Sequence, residues 1–435
     1  MVKLAALLLA LLPIHAAQAE LSPAERTMVH TIDQERDRSI SLLERLVNQN
    51  SGSLNIAGVE AVGRMMRAEL EPLGFDVRWV PMAEAKRAGH LVAVHRGNGR
   101  GKRMLLIGHL DTVFEPDSPF QRFVRKGDKA EGPGAGDNKG GMIVMLQALR
   151  AMHAAGTLKH ADIEVVLTGD EEDSGDPIEV ARRDLIAAGK RADVALDFEG
   201  LAQEGGKDMG SIARRSSGSW ELRATGTSGH SSRIFSEAAG YGAAYELTRI
   251  LDAFRRELPE QNLTFNIGIL AGGASATLDP GGIRAEATGK TNIVAATAVA
   301  RGDIRTLSRE QDARVRARMA AIVAQHLPGT SATLSFDPGG YPPMAPTDGA
   351  RALLARLNRV NADLGLDPMA ELDPVKRGAG DIAFVAQDVI GLVGLGAAST
   401  GDHAPGETVD LPSIDRQAKR AAILMTRLSR EPRQP

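Results

Sequence analysis

The feature that most constrains this chain is a set of short apolar runs, each ending in imidazole or carboxylate groups: LLIGHLD at 105–111, VVLTGDEE at 165–172 and ALDFEG at 195–200. A wholly apolar run of this length, bounded by polar residues, fits a strand buried on both faces. Strands are expected at Asp76 to Pro81, His90 to Val94, Met104 to His109, Ile163 to Thr168 and Val194 to Phe198, with helices at Gly58 to Leu73 and Met142 to Ala155. That alternation predicts an α/β layer with a largely parallel sheet. Ligands of such sheets gather beyond the carboxyl ends of the strands, where these histidines and acids lie.

From Ser219 to about Phe336 the pattern changes to strand (Trp220 to Ala224), helix (Ala239 to Glu257), two strands (Leu263 to Leu270 and Asn292 to Ile304), helix (Arg309 to His326) and strand (Ser331 to Phe336), the order of a ferredoxin-like α+β unit. The α/β pattern returns after Pro342, with helices near Ala350 to Leu364 and Ser413 to Ser429 around a strand at Val389 to Leu395. The expected organisation is a catalytic domain in two parts, residues 20–213 and 339–435, interrupted by a smaller lid at 214–338. Residues 1–19 read as a cleaved signal peptide: Lys3, an apolar run from Leu4 to Leu12, and Ala17-Gln18-Ala19 before Glu20. The run is too short to span a bilayer, so a periplasmic or secreted protein with no membrane span after cleavage is expected.

Composition narrows the chemistry. The 435 residues include no cysteine, which excludes disulfides, thiolate nucleophiles and Cys-ligated metals. A net charge of −3 with 3% aromatic residues gives no basis for nucleic acid as a partner. Any metal must be held by His, Asp and Glu.

His109 and Asp111 project to the same side of a strand end, so that the carboxylate can fix the tautomer of a ligating imidazole. Asp137 stands at the centre of GPGAGDNKGG, a loop open to three readings: a phosphate cradle, a metal site or a plain turn. No Walker or Rossmann spacing is present, and an aspartate at the apex repels an anion but can bridge two cations. In TGDEEDSGD, adjacent Glu171 and Glu172 face opposite ways on an extended chain, which suits one as general base and the other as ligand. Asp197 and Glu199 end another strand, and His403 follows the run VIGLVGLG. Together these groups suffice for a two-metal site of imidazole and carboxylate, suited to zinc, with manganese or cobalt as options.

The ordered series GHLDTV, GDNKGG, DEE, FEG, SGH, TN, DIR, GAGD and GDH resembles the M20 metallopeptidases, in particular their glutamate carboxypeptidase-like branch. The resemblance implies a phosphorylase/hydrolase-like zinc-peptidase catalytic domain with an inserted lid that also dimerises. It implies two zinc ions: one on His109, Asp137 and Glu199, the other on Asp137, Glu172 and His403. Glu171 matches the general base, Asp111 the residue orienting His109, and Asp137-Asn138 a dipeptide joined by a cis peptide. His230 matches a histidine that reaches the other subunit's active site in dimers, while Asn292 and Arg305 match substrate contacts. Relatives that cleave glutamate carry Gly-Arg-Pro where this chain has Gly340-Tyr341-Pro342, and Gly-Gly-Thr-Asp where it has Gly378-Ala379-Gly380-Asp381, preceded by Arg377. Tyr341, Arg377 and Gly378 therefore join the expected substrate-binding set, with Arg377 as the cation that stands in for the missing arginine. The implied substrate is a small peptide or N-acyl amino acid, cleaved in the manner of a carboxypeptidase, with deacylase and aminopeptidase variants on the same scaffold.

Two other classes compete. A serine esterase or lactamase has Ser216, Ser217, Ser231 and Ser232 to draw on but no GxSxG or SxxK. A periplasmic solute-binding protein fits two lobes and secretion, and leaves the acidic and histidine clusters without a purpose.

Overall fold

The computed structural model describes residues 21–433; the segment read as a signal peptide lies outside them. Six strands form the central sheet, in the order Asp76–Pro81, Gly89–His95, Asp162–Thr168, Arg103–His109, Val194–Asp197 and Ile390–Leu392. The last four run parallel, and Gly89–His95 is antiparallel to both of its neighbours. Side-chain alternation divides each inner strand between two cores. Met104 and Leu106 join the larger one, with Leu149, Val165 and Leu196, while Leu105 and Ile107 join a smaller one with Val166, Ile382 and Val393. Both faces are covered, which is why these strands read as unbroken apolar runs.

The Lys139–Ala154 helix is buried without interruption from Lys139 to Met152. It lies between the sheet and the helices Pro23–Gln34, Arg36–Asn48 and Leu411–Leu428, so no stripe of it meets solvent. Its amino end follows directly on Asp137 and Asn138.

Residues 218–336 build a second sheet. Thr297–Arg305 pairs antiparallel with Gly218–Gly226, which pairs antiparallel with Thr330–Phe336. Trp220, Leu222, Ile250, Phe254, Val315 and Met319 form a core of its own beneath the helices Gly242–Glu257 and Arg309–Val323. Two details differ from the sequence pattern. The run expected as one strand from Leu263 to Leu270 is divided into Thr264–Phe265 and Ile269–Gly273, both pairing with Thr297–Arg305. The run from Asn292 is likewise divided, because Ile293–Val294 pairs with Gly229–His230 before the long strand starts at Thr297.

A four-stranded antiparallel sheet of very short strands (Val124–Lys126, Lys129–Glu131, Thr408–Asp410 and Ser399–Thr400) sets the loops carrying Asp137 and His403 side by side. No described helix is long and apolar enough to cross a membrane.

Asp208, in the Lys207–Gly210 strand, clips that strand to the Leu411–Leu428 helix through Arg416 (2.9 and 3.2 Å) and Arg420 (2.5 Å). Burial opposes its charge, but hydrogen bonds from Arg416, Gln203 and Arg420 prevail and lower its pKa to about 2. A lowered carboxylate pKa stabilises the fold above the unfolded value near 4, and the contribution fades as pH falls toward the folded value. Asp208→Asn should therefore cost about 2 kcal/mol at pH 7, with the difference from the parent shrinking steadily between pH 4 and pH 2 in denaturant titrations.

Candidate metal centre

The strand ends converge as the parallel register dictates. His109 is opposite Thr168, and Ile107 is opposite Asp197. His109, Asp170–Glu172 and Glu199 thus leave neighbouring strands on one edge of the sheet, and Asp137 and His403 arrive from the loops beside them.

Asp137 is the centre of the cluster. Its Oδ1 lies 3.0 Å from His109 Nε2, and its Oδ2 lies 3.1 Å from His403 Nε2. Glu199 Oε1 is 3.3 Å from His109 Nε2, and Glu172 Oε2 is 3.2 Å from His403 Nε2. The two triads read from the sequence are therefore assembled, each sharing one oxygen of Asp137. Donor separations of 3.0–3.3 Å are close to the edge of a tetrahedron whose metal–ligand bonds are about 2 Å. Single donor atoms of His109, Asp137 and Glu172, and of His109, Glu171 and Glu199, also lie within 4.8 Å of one another, so Glu171 stands at the rim of the same cluster.

Two further carboxylates hold this geometry through backbone amides. Asp111 lies under His109: the imidazole Nδ1 is 3.1 Å from the Asp111 carbonyl oxygen and 3.3 Å from its Oδ1, leaving Nε2 to face Asp137 and Glu199. The same carboxylate accepts from the amides of Glu171 (3.0 Å) and Glu172 (3.1 Å) and from Ser53 Oγ (2.6 Å). One buried side chain orients the first imidazole and fixes the Glu171-Glu172 turn.

Glu407 does the equivalent work for the glycine-rich loop. Its carboxylate accepts from the amides of Gly134 (3.0 Å), Gly136 (2.7 Å) and Asp137 (2.9 Å). Gly134 has φ +72°, a left-handed turn that points this run of amides inward. The Asp137–Asn138 peptide is cis. His403 also has a positive φ, 63°, and swings its half-exposed imidazole over Asp137.

Crowded, buried carboxylates set the electrostatics. Burial pushes Glu171 well above the usual carboxylate range, with Glu199 adding repulsion, and raises Glu172 to about 7, with Asp137 adding. Asp197 also rises to about 7 through burial and the charge of Glu199. For Asp137 burial is overcome by the hydrogen bonds of His109 and His403, and its pKa falls. His403 climbs to about 11 against Asp137 and Glu172. Two imidazoles and several acids pressed together in this way are relieved by divalent cations, and the donor set suits them.

The expected substrate residues divide. Arg377 is largely buried, its Nε and Nη2 without hydrogen-bond partners and its nearest described carboxylate Glu199 Oε2 at 3.9 Å. Gly378 gives its carbonyl to Arg214 Nε (2.9 Å), and a Cβ added to it would lie 4.0 Å from Arg305 Nη1. Arg305 itself pairs with Asp303 at 3.3 Å. Tyr341 departs from expectation as a substrate contact: its hydroxyl is committed to Arg182 (2.6 Å), Ser174 (2.8 Å) and the Glu171 carbonyl (2.9 Å), so its hydrogen-bonding capacity is spent inside the protein. His230 and Asn292 are exposed, and among the described residues neither makes a hydrogen bond or ion pair to the cluster.

Sequence reasoning missed Glu407, Arg182 and Arg214. Arg182 is fully buried between Asp170 (2.6 Å) and Asp381 (2.7 Å), which makes Asp170 a structural acid despite its place beside Glu171. Arg214 reaches Asp197 (3.4 Å) and Glu199 (3.5 Å), close enough to Gly380 that any Cβ there would collide with it.

The profile described as peptidase family M20/M25/M40 matches residues 105–427. The chain belongs to this family. Carboxypeptidase G2 of Pseudomonas sp. (strain RS-16) is 27% identical over 423 residues, covering 94% of each chain. A succinyl-diaminopimelate desuccinylase of Novosphingobium aromaticivorans is 28% identical over 404 residues, covering 88% of this chain and 97% of the relative. Among solved structures, the YXEP protein of Bacillus subtilis, described as a dinuclear metal-binding peptidase of the M20 family, shares the fold with a TM-score of 0.62 at 17% identity, covering 91% of this chain and 98% of that one. This M20 chain is thus a mixed α/β hydrolase with a group of residues able to hold metal.

Glutamine in place of Glu407 would set an NH2 group against at least one inward amide. Glu407→Gln should lower the affinity of this cluster for divalent cations about 10- to 100-fold, because Asp137 is shared between the two triads; metal release measured against a chelator series tests this.

Proposed function

We propose that this M20 chain is a periplasmic or secreted dizinc exopeptidase of carboxypeptidase type, acting on small peptides or N-acyl amino acids that carry a free carboxylate. The observation that carries the reading is Asp137 presenting one oxygen to each of two imidazoles, with Glu171 at the rim. His109, Asp137 and Glu199 would hold one ion, and Asp137, Glu172 and His403 the other.

A bound cation pair at such a site supplies Lewis acidity, acidifying a water and polarising an amide carbonyl. The protein's own groups do the rest. Glu171 takes a proton from the attacking water and delivers it to the leaving amine nitrogen; burial raises its pKa, which makes the carboxylate a stronger base for taking that proton. Asp111 keeps His109 in its ligating tautomer and holds the Glu171 amide.

Beside Asp137 and Glu199 opens a cavity of about 420 Å³, lined also by Arg377, Lys376, Ser399 and Asp402. Lys376 is paired with Glu204 at 2.6 Å, so the guanidinium of Arg377, whose Nε and Nη2 lack hydrogen-bond partners, is the group left to receive a substrate carboxylate. His230 Nδ1 is engaged by Ser232 Oγ at 2.8 Å, which leaves Nε2 available, and its exposure suits delivery to the site of a second copy in a homodimer formed through the 218–336 unit, the lid. There it would stabilise the oxyanion. The sequence pattern of residues 1–19 supports export. The desuccinylase relative favours a second reading, an N-acyl amino acid deacylase on the same site.

A screen of dipeptides against N-acyl amino acids with zinc-loaded protein, read by released amine, decides between the two. Glu171→Gln should retain both ions and lose turnover by several orders of magnitude; near-normal rates would remove Glu171 as the base. Arg377→Ala should raise KM about 10- to 100-fold for substrates with a free carboxylate while leaving their amidated counterparts unchanged; an equal loss on both would show that it does not receive the carboxylate.

A further inference from the structure

Tyr341 sits where the two chain segments joining the 218–336 unit to the rest of the protein run side by side. Its amide donates to the Ser217 carbonyl (2.7 Å) and its carbonyl accepts from the Ser217 amide (3.0 Å); Arg214 and Met344 repeat the exchange at 3.0 and 2.9 Å. From this crossing the side chain reaches into the turn that follows the Asp162–Thr168 strand. The ring packs edge-on against Phe384 at 4.9 Å, and the hydroxyl donates to the carbonyl of Glu171 (2.9 Å) while accepting from Arg182 Nη2 (2.6 Å) and bonding Ser174 Oγ (2.8 Å).

The main chain of Glu171 is thus gripped from both sides. Asp111 Oδ1 holds its amide at 3.0 Å, and the Tyr341 hydroxyl holds its carbonyl at 2.9 Å. Its carboxyl group makes no hydrogen bond to any described residue, so these two grips set where the carboxyl points. Arg182, pinned between two buried acids, fixes the tyrosine hydroxyl in turn.

We propose that Tyr341 is a positioning residue for Glu171, linking the connection between the two units to the orientation of the carboxyl that moves the proton. The proposal rests on Glu171 being the general base. A displacement of about 1 Å in such a group can cost about 100-fold in rate.

The test is Tyr341→Phe, which keeps the ring and removes the hydroxyl, made in the parent and in Glu171→Gln, each zinc-loaded. In the parent background kcat should fall 10- to 100-fold with KM within twofold and metal content unchanged. In the Glu171→Gln background the residual rate should not fall further. An unchanged kcat in folded Tyr341→Phe overturns the proposal, as does an equal fall in both backgrounds, which marks general structural damage. Should Tyr341→Phe fail to fold, Ser174→Ala is read in the same two backgrounds: a fall in kcat of a few fold, confined to the parent, supports the proposal, and no change overturns it. A Glu171→Gln enzyme with ordinary turnover sinks the base assignment and this proposal with it. An inactive Glu171→Gln beside a fully active Tyr341→Phe sinks the tyrosine's role alone.

Discussion

Several carboxylates held within a few ångströms of one another, out of bulk water, are the constraint on which the rest of this structure depends. Left alone they would separate or take up protons; burial already drives Glu171 upward and lifts Glu172 and Asp197 to about 7. A site of this kind needs cations to satisfy it and a scaffold that refuses to relax. The scaffold's answer is a parallel sheet covered on both faces, whose strand ends cannot shift without breaking two cores.

The acids that hold the ligands in place act chiefly through backbone amides. Asp111 takes the amides of Glu171 and Glu172, and Glu407 takes those of Gly134, Gly136 and Asp137. Fixing the main chain on either side of a ligand orients its side chain without competing for its oxygens, which stay free for the metal side of the site. Arg182 and Arg214 neutralise the acids that are not ligands, Asp170, Asp381 and Asp197. Glu199 stands between the two groups of acids, meeting the His109 imidazole on one side and Arg214 on the other.

The candidate ligands could be picked out of the sequence because each follows an apolar strand or a glycine-rich turn, and such placements are local properties of the chain. Strands through the parallel core were legible because burial on both faces leaves an unbroken apolar run. The four-stranded sheet that sets Asp137 beside His403 was not, since strands of two or three residues carry no period. Glu407 acts on residues about 270 positions away, and nothing near it in sequence marks a glutamate after a turn as a clamp. Asp170 looks the same as Glu171 in a row of acids; only the approach of Arg182 from a later helix turn separates them.

On the proposed reading, the departure from the motif at Tyr341 moves a function rather than deleting it. An arginine in that position brings a charge that must be matched by an anion. A tyrosine brings a hydroxyl that Arg182, Ser174 and the Glu171 carbonyl satisfy completely, and it needs no ligand. The charge needed to hold a substrate carboxylate then has to come from elsewhere, and Arg377 is a buried guanidinium whose Nε and Nη2 lack hydrogen-bond partners. A buried cation short of hydrogen bonds is costly unless something completes it. On the proposed reading the substrate completes it, and the position that held charge in the glutamate-cleaving relatives is released to hold the general base.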